Sequence, residues 1–319
     1  MSRMILGRLA QGLVTLWLVS VLVFVGTQLL PGDVAASILG QNATPESLEA
    51  IRRELGLNDP APLRYLQWLA GFVQGDLGMS LSNRQPVSEL LWPRFWNTMA
   101  LAAYAAAIGI PLATGLGVLT AMLRGSVFDR VSNIGALAMV SLPEYFLGLL
   151  LILFFSVKWN LLPSLANVYP GMGFWAWIEA TTLPMMVLLL VTAAQIMRMT
   201  RTAVLSVMDA PYIETAWLKG LRTGRVVLRH AAPNAVAPVI NVVAFNIAYL
   251  ITGVVLVEVV FNYNGLGRFM VDAVSKRDLP MVQAAAMVFG AVYVLLNMVA
   301  DIGAIAANPR LRKPRETGA

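Results

Sequence analysis

Six stretches of this chain are apolar over roughly the 20 residues that a helix needs to cross the hydrocarbon core of a bilayer. They cover residues 9–30, 98–123, 131–157, 183–199, 235–260 and 282–307. Inside a bilayer no water is available to backbone N–H and C=O groups, so each such segment must close its hydrogen bonds within itself as a helix. The expected class is an all-α polytopic membrane protein with six transmembrane helices. Composition points the same way: 58% of the 319 residues are hydrophobic and 13% are charged. That is about half the charge of an ordinary soluble domain, too little to coat a water-facing surface. A soluble globule, a disordered chain and a collagen-like repeat are all excluded. The first stretch follows Arg3 and Arg8, as a secretion signal would, but it is too long for one and ends in Pro31-Gly32-Asp33 without a small-residue cleavage pattern. It reads as an uncleaved span.

A formal charge of +6 suits either nucleic acid or basic cytoplasmic loops. Placing the N-terminus inside puts 14 basic residues and four acids in the inner segments, and nine basic residues and eleven acids in the outer ones. Basic residues concentrate on the cytoplasmic side, so both termini are expected inside, and the nucleic-acid reading loses its support. Four regions follow: residues 1–30, an N-terminal segment with the first span; 31–97, an outer loop with short helices; 98–307, spans two to six; and 308–319, a cytoplasmic tail.

The outer loop carries two helical patterns. One opens at Thr44-Pro45-Glu46 and runs through Leu48, Ile51 and Leu55 to a stop at Gly56, and the other covers 62–73 with Tyr65, Trp68, Leu69 and Phe72 on one face. That face suits either the membrane surface or a neighbouring span. On the cytoplasmic side, Asp209 and Pro211 start a short helix that Gly220 stops. Ile213, Ala216 and Trp217 share a stripe extended by Leu221, and Arg222, Arg225 and Arg229 follow at helical spacing. Nine residues do not hold a helix alone in water. Either the membrane surface supports it or a cytoplasmic protein receives it in a groove.

Ionisable groups at membrane depth are costly and therefore functional candidates. Glu144 follows Pro143 inside the third span, where proline permits a kink; it either faces the pathway and a cationic group of cargo, or pairs internally. Asn297 and Asp301 share a helix face and suit a structural polar contact. Glu258, Gly265, Gly267 and Arg268 lie at the outer end of the fifth span. The two glycines allow a tight turn there, consistent with an external gate.

No catalytic, cofactor-binding or metal-binding set emerges. Cysteine is absent, and the 16 methionines suit apolar packing rather than a metal path. An intramembrane hydrolase needs a nucleophile with a base, and the sole histidine, His230, lies outside the spans. The phosphate-binding pattern G-x-x-x-x-G-K-[ST] is missing, so ATP is not held by that route. An ion-coupled secondary transporter would normally show more intramembrane carboxylates or paired broken helices.

Glu214-Thr215-Ala216, Gly220 and Pro233 resemble the EAA loop of ATP-binding cassette importer permeases. The longer run from Tyr212 to Leu221, with Arg229-His230-Ala231 and Asn234-Ala235, is similar to the dipeptide and oligopeptide branch. Further strings in order resemble its first-permease subunit: Leu30-Pro31-Gly32-Asp33, Leu55-Gly56-Leu57, Gly75-Asp76-Leu77-Gly78 with Ser80, Gly265-Leu266-Gly267-Arg268, and Arg277-Asp278 with Pro280. Departures are Thr215 for an alanine, Trp217-Leu218 where that branch often has Arg-Ala, Asn264 for a proline and Asn308 for an aspartate.

The resemblance implies the type I importer permease fold and a subunit in the bacterial inner membrane. It implies a second homologous permease, two cytoplasmic ATPases that bind ATP and magnesium, and an external substrate-binding protein. The segment 211–221 would be the coupling helix, with Tyr212, Ile213, Glu214, Thr215, Ala216, Trp217, Lys219, Gly220 and Leu221 coupling to the ATPases. Cargo would be peptides or peptide-like solutes, with a nickel complex as an alternative.

Overall fold

The computed structural model describes residues 2–29, 44–54 and 58–307. The motifs at 30–33 and 55–57, the expected helix stop at Gly56 and the tail 308–319 lie outside these residues, as does the side chain of Asp301. The helices are α1 (Ser2–Gln28), α2 (Pro45–Glu54), α3 (Ala61–Val73), α4 (Val87–Met122), α5 (Val127–Ser141) and α6 (Glu144–Leu151). These are followed by α7 (Phe174–Met208), α8 (Pro211–Leu218), α9 (Thr223–Val226), α10 (Ala232–Val260), α11 (Leu266–Ser275) and α12 (Leu279–Ala307). A wider π-helical turn continues α6 over Ile152–Lys158, and another links α9 to α10 over Val227–Ala231.

Four helical segments, Leu6–Gln28, Val87–Met122, Phe174–Met208 and Leu279–Val299, are long and apolar enough to cross a membrane unbroken. Two more spans arise only if bent pairs count as one each: Val127–Ser141 with Glu144–Lys158, bent by 106°, and Thr223–Val236 with Pro238–Ile251, bent by 58°. The first of these is a break rather than the expected kink. Leu142 is extended (ψ 134°), as a residue before proline must be, and Pro143 also takes an extended ψ of 139°. Neither residue can carry the helical ladder across.

Helices also outrun their apolar stretches. α4 begins at Val87, eleven residues before the stretch at 98, and α7 covers Phe174–Met208 around the stretch 183–199. Hydropathy marks where lipid begins, while backbone hydrogen bonding carries a helix on into water. Leu13, Trp17 and Leu22 of α1 stay exposed, as suits a helix whose solvent is lipid.

The chain divides into two compact units, one built mainly on Met99–Tyr263 and the other on Ala10–Thr98 and Asn264–Val294. In the first, Leu101, Leu147, Leu183, Val187, Leu250 and Phe261 pack one core, and a second gathers around α8. Gly117 lets α4 close on α7: a Cβ there would lie 2.6 Å from Thr200 Cβ and 2.7 Å from Met197 O. In the second unit, Val87, Leu91, Leu266, Phe269 and Met281 form the core. The aromatic face of α3 is spent on α1, with Tyr65 and Trp68 ring centroids 5.4 and 6.0 Å from Phe24 and the Tyr65 hydroxyl 2.8 Å from Ser20 Oγ.

Also within the second unit, Asp278 joins two strings that lie far apart in sequence. Its Oδ2 accepts from Ser80 Oγ and Ser82 Oγ, both at 2.6 Å, and from the Ser82 N–H at 3.0 Å, while Oδ1 caps α12 through the Met281 N–H at 3.4 Å. Burial alone raises the pKa of this carboxyl, but the hydrogen bonds from Ser80, Ser82 and the backbone of Leu81 outweigh burial and hold it below the usual carboxylate range.

Candidate functional site

The helix α8 is specified locally at both ends. Pro211 occupies the first turn, where its missing N–H costs nothing. At the other end Gly220 takes a left-handed φ of 73°, the Gly220 N–H reaches Trp217 O at 2.8 Å and the Leu221 N–H reaches Ala216 O at 3.3 Å. This pair of bonds is a Schellman cap, and Leu221 closes it by packing beside Ala216. Eight residues need tertiary support. Ile213 and Ala216 supply it, buried against Ala121, Val204, Val226 and Val227.

That anchoring separates the residues expected to couple. Ile213 and Ala216 face this chain's own core, so the expected stripe of Ile213, Ala216 and Trp217 does not present itself as a unit. Tyr212, Trp217 and Leu218 are instead 47%, 45% and 82% exposed; Glu214, Thr215, Lys219 and Gly220 are exposed beside them, and Leu221 is half-buried. The anchoring pair occupies a narrow arc, and Trp217, about 100° further round from residue 216, clears it. Three large side chains are thus left exposed by this chain on one short helix, an arrangement that suits a contact surface.

The root of α8 is fixed by a contact that charge counting alone does not reveal. Arg201 of α7 grips Asp129 with both prongs, Nε to Oδ1 at 2.7 Å and a terminal nitrogen to Oδ2 at 2.9 Å. Asn133 and the Gly125 N–H complete the carboxylate's shell at 2.8 and 3.0 Å. This fork ties the first turn of α5 to the last turns of α7, upstream of α8.

Glu144 stands half-buried at the start of α6, beside the break. Its Oε1 accepts from the Tyr249 hydroxyl at 3.1 Å, and with Ser141, Gln195, Tyr249 and Gly253 it lines a pocket of about 610 Å³ in the first unit. Tyr249 and Gly253 are missed when the sequence is read for charge. Their signal is an i, i+4 pair on the fifth apolar stretch, one polar tip above one missing side chain.

The residues expected at an outer gate fall into different units. Glu258 is buried in the first, its backbone carbonyl accepting from the Tyr263 N–H at 2.8 Å. The left-handed turn comes at Asn262 (φ 55°), not at either glycine. In the second unit Gly265 is extended at the cap of α11, Gly267 is buried in that helix, and Arg268 lies 3.8 Å from Asp272. The Leu266 N–H is held by Thr98 Oγ1 at 2.8 Å. Among the described residues no group of three or more His, Asp or Glu is placed to hold a metal ion.

Comparison with known proteins adds the following. Residues 113–313 match the family described as binding-protein-dependent transport system inner membrane component, and residues 1–102 match the corresponding N-terminal family. A putative peptide transport system permease protein of Brucella abortus is 39% identical over 312 residues, covering 98% of this chain and 99% of that one. The glutathione transport system permease protein of Escherichia coli is 35% identical over 312 residues, with the same two coverages. The dipeptide transport system permease protein of Escherichia coli K12 is 36% identical over 340 aligned positions, again with 98% and 99% covered. An inward-facing structure of the MetNI methionine ABC transporter matches with a TM-score of 0.53 at 19% identity, covering 69% of this chain and 97% of that one. At that identity it speaks to the fold alone.

Proposed function

Because the chain belongs to the binding-protein-dependent transport system inner membrane components and has the type I ABC importer permease fold, we propose that it forms half of a translocation pathway for peptides or peptide-like solutes. Family membership makes it a multi-pass membrane subunit of a transporter that works with further partners. In our reading those partners are a second, homologous permease, two cytoplasmic ATPases and an external binding protein. ATP and magnesium belong to the ATPases, and this chain performs no chemistry of its own. Both termini lie in the cytoplasm. Peptide cargo is supported by the relatives, which are a putative peptide, a glutathione and a dipeptide transport system permease.

The observation that carries the coupling role is the knob of Tyr212, Trp217 and Leu218, held out by the buried anchors Ile213 and Ala216. The ATPases would receive the exposed face of 211–221, while the anchors transmit its displacement to α4 and α7, which pack on the same core. Alternating access follows if that displacement changes the packing of spans. Segment 265–268 would move with the outer gate.

The test is co-purification of the ATPases with the Trp217→Ala, Leu218→Ala double variant. Two fully desolvated apolar side chains are worth about 3–6 kcal/mol at an interface, so the ATPases should be lost while the permease pair stays intact. Full retention of the ATPases with full uptake would refute the coupling role.

A further inference from the structure

The pocket at the break of the third span is built around a carboxylate that its own chain leaves half used. Tyr249 occupies Glu144 Oε1 at 3.1 Å, whereas Oε2 is buried and has no hydrogen-bond partner among the described residues. Gly253 makes the placement possible. A Cβ on it would lie 3.2 Å from Oε1 and 3.3 Å from Oε2, tighter than a carboxylate accepts without shifting. No lysine, arginine or histidine is among the lining residues. A charge on Glu144 therefore has no counter-charge in its own pocket, an arrangement that is unfavourable unless a ligand supplies one.

The chemistry of that ligand can be narrowed. A guanidinium pairs best with both oxygens of a carboxylate at once, and here the two oxygens are unequal, Oε1 bonded to Tyr249 and Oε2 buried. A primary ammonium needs a single oxygen and has further N–H groups to place. Ser141, Gln195 and the Tyr249 hydroxyl, which line the same space, provide acceptors for them. The volume of about 610 Å³ falls within the range of small-molecule sites, about 300–1,000 Å³.

We infer that this pocket is a cargo subsite for a primary ammonium, the free N-terminal amine of a peptide-like solute, held by Glu144 with Tyr249 fixing the carboxylate and Gly253 giving it room. This inference rests on the peptide reading above, because it names the end of the peptide that the pathway holds.

The experiment measures binding of radiolabelled dialanine and N-acetyl-dialanine to the detergent-solubilised complex of both permeases and ATPases, without the binding protein. The wild type should prefer the free amine by about tenfold or more, the worth of one charge-assisted contact. Glu144→Gln retains an acceptor for Tyr249 and removes only the charge, so the preference should fall to within about twofold. Gly253→Ala, which crowds the carboxylate but keeps its charge, should weaken dialanine and spare the acetylated probe. An unchanged preference in Glu144→Gln overturns the assignment, as does a wild type without preference or without detectable dialanine binding. If Glu144→Gln does not assemble, an unaltered ratio in Gly253→Ala overturns it instead. A loss of permease pairing in Glu144→Gln with an unaltered ratio would assign the carboxylate to the partner permease. ATP-dependent dialanine uptake by the complete importer, run in parallel, separates the two readings. Uptake without an amine preference overturns the subsite alone, and no uptake of dialanine or any longer peptide overturns the peptide reading and the subsite together.

Discussion

Asp278 and Glu144 are both acids in apolar surroundings, and their neighbourhoods treat them oppositely. Asp278, 1% exposed, is gripped by two serine hydroxyls and two backbone N–H groups. Glu144 receives one hydroxyl and keeps a buried oxygen unused beside an open pocket. Asp129 sides with Asp278, its oxygens claimed by Arg201, Asn133 and Gly125. A carboxylate whose lone pairs are all taken has finished its work in holding the fold. One with capacity left over, in a concave site, is available to something that arrives.

That contrast breaks first at Asp129. Arg201→Ala would strand its carboxylate, and removing one partner of a largely buried pair costs about 3–5 kcal/mol. Thermal unfolding of the purified complex should drop by several degrees, with α8 the first segment to lose protection in hydrogen exchange. Asp278→Ala comes next. It leaves two serine hydroxyls and an N-cap unmet, a loss of about 3 kcal/mol, and hydrogen exchange should rise in the connection 76–86 and at the start of α12. Glu144→Gln should change stability by less than about 1 kcal/mol while altering cargo selection. Equal destabilisation by the Asp278 and Glu144 variants would erase the distinction between lock and site.

Acid offers a gentler version of the same comparison. The folded-state pKa of Asp278 is depressed, so its contribution is fully present above the unfolded carboxylate value, about 3.9, and is lost as pH falls through the lower folded value. Between pH 7 and 5 the melting temperature of the wild type should therefore show no loss attributable to Asp278. Only below about pH 4 should it converge on that of Asp278→Asn. Convergence already at pH 6 would mean that the lock is weaker than its geometry.

What sequence made legible follows from the range of each force. The apolar stretches are local and long, so the order of the apolar helices can be read directly, though not which of them are broken, and the ends of α8 follow from Pro211 and Gly220. Glu144 stood out because a charge among apolar residues is conspicuous. Its companions did not: Tyr249 and Gly253 are ordinary members of an apolar helix until α6 and α10 meet. Ser80 and Asp278 likewise sit in separate strings that only the fold of the second unit joins. The stripe of Ile213, Ala216 and Trp217 divides in the structure, since periodicity shows which residues share an arc but not how much of that arc the core will take.

The most direct test of the whole account is uptake by proteoliposomes holding the two permeases, the ATPases and the binding protein, with peptide outside and ATP inside. Uptake should require ATP, cease when the ATPase loses its catalytic residue, and ignore imposed ion gradients. Peptide uptake driven by a proton or sodium gradient, with the ATPase inactive or absent, would contradict the account at its centre.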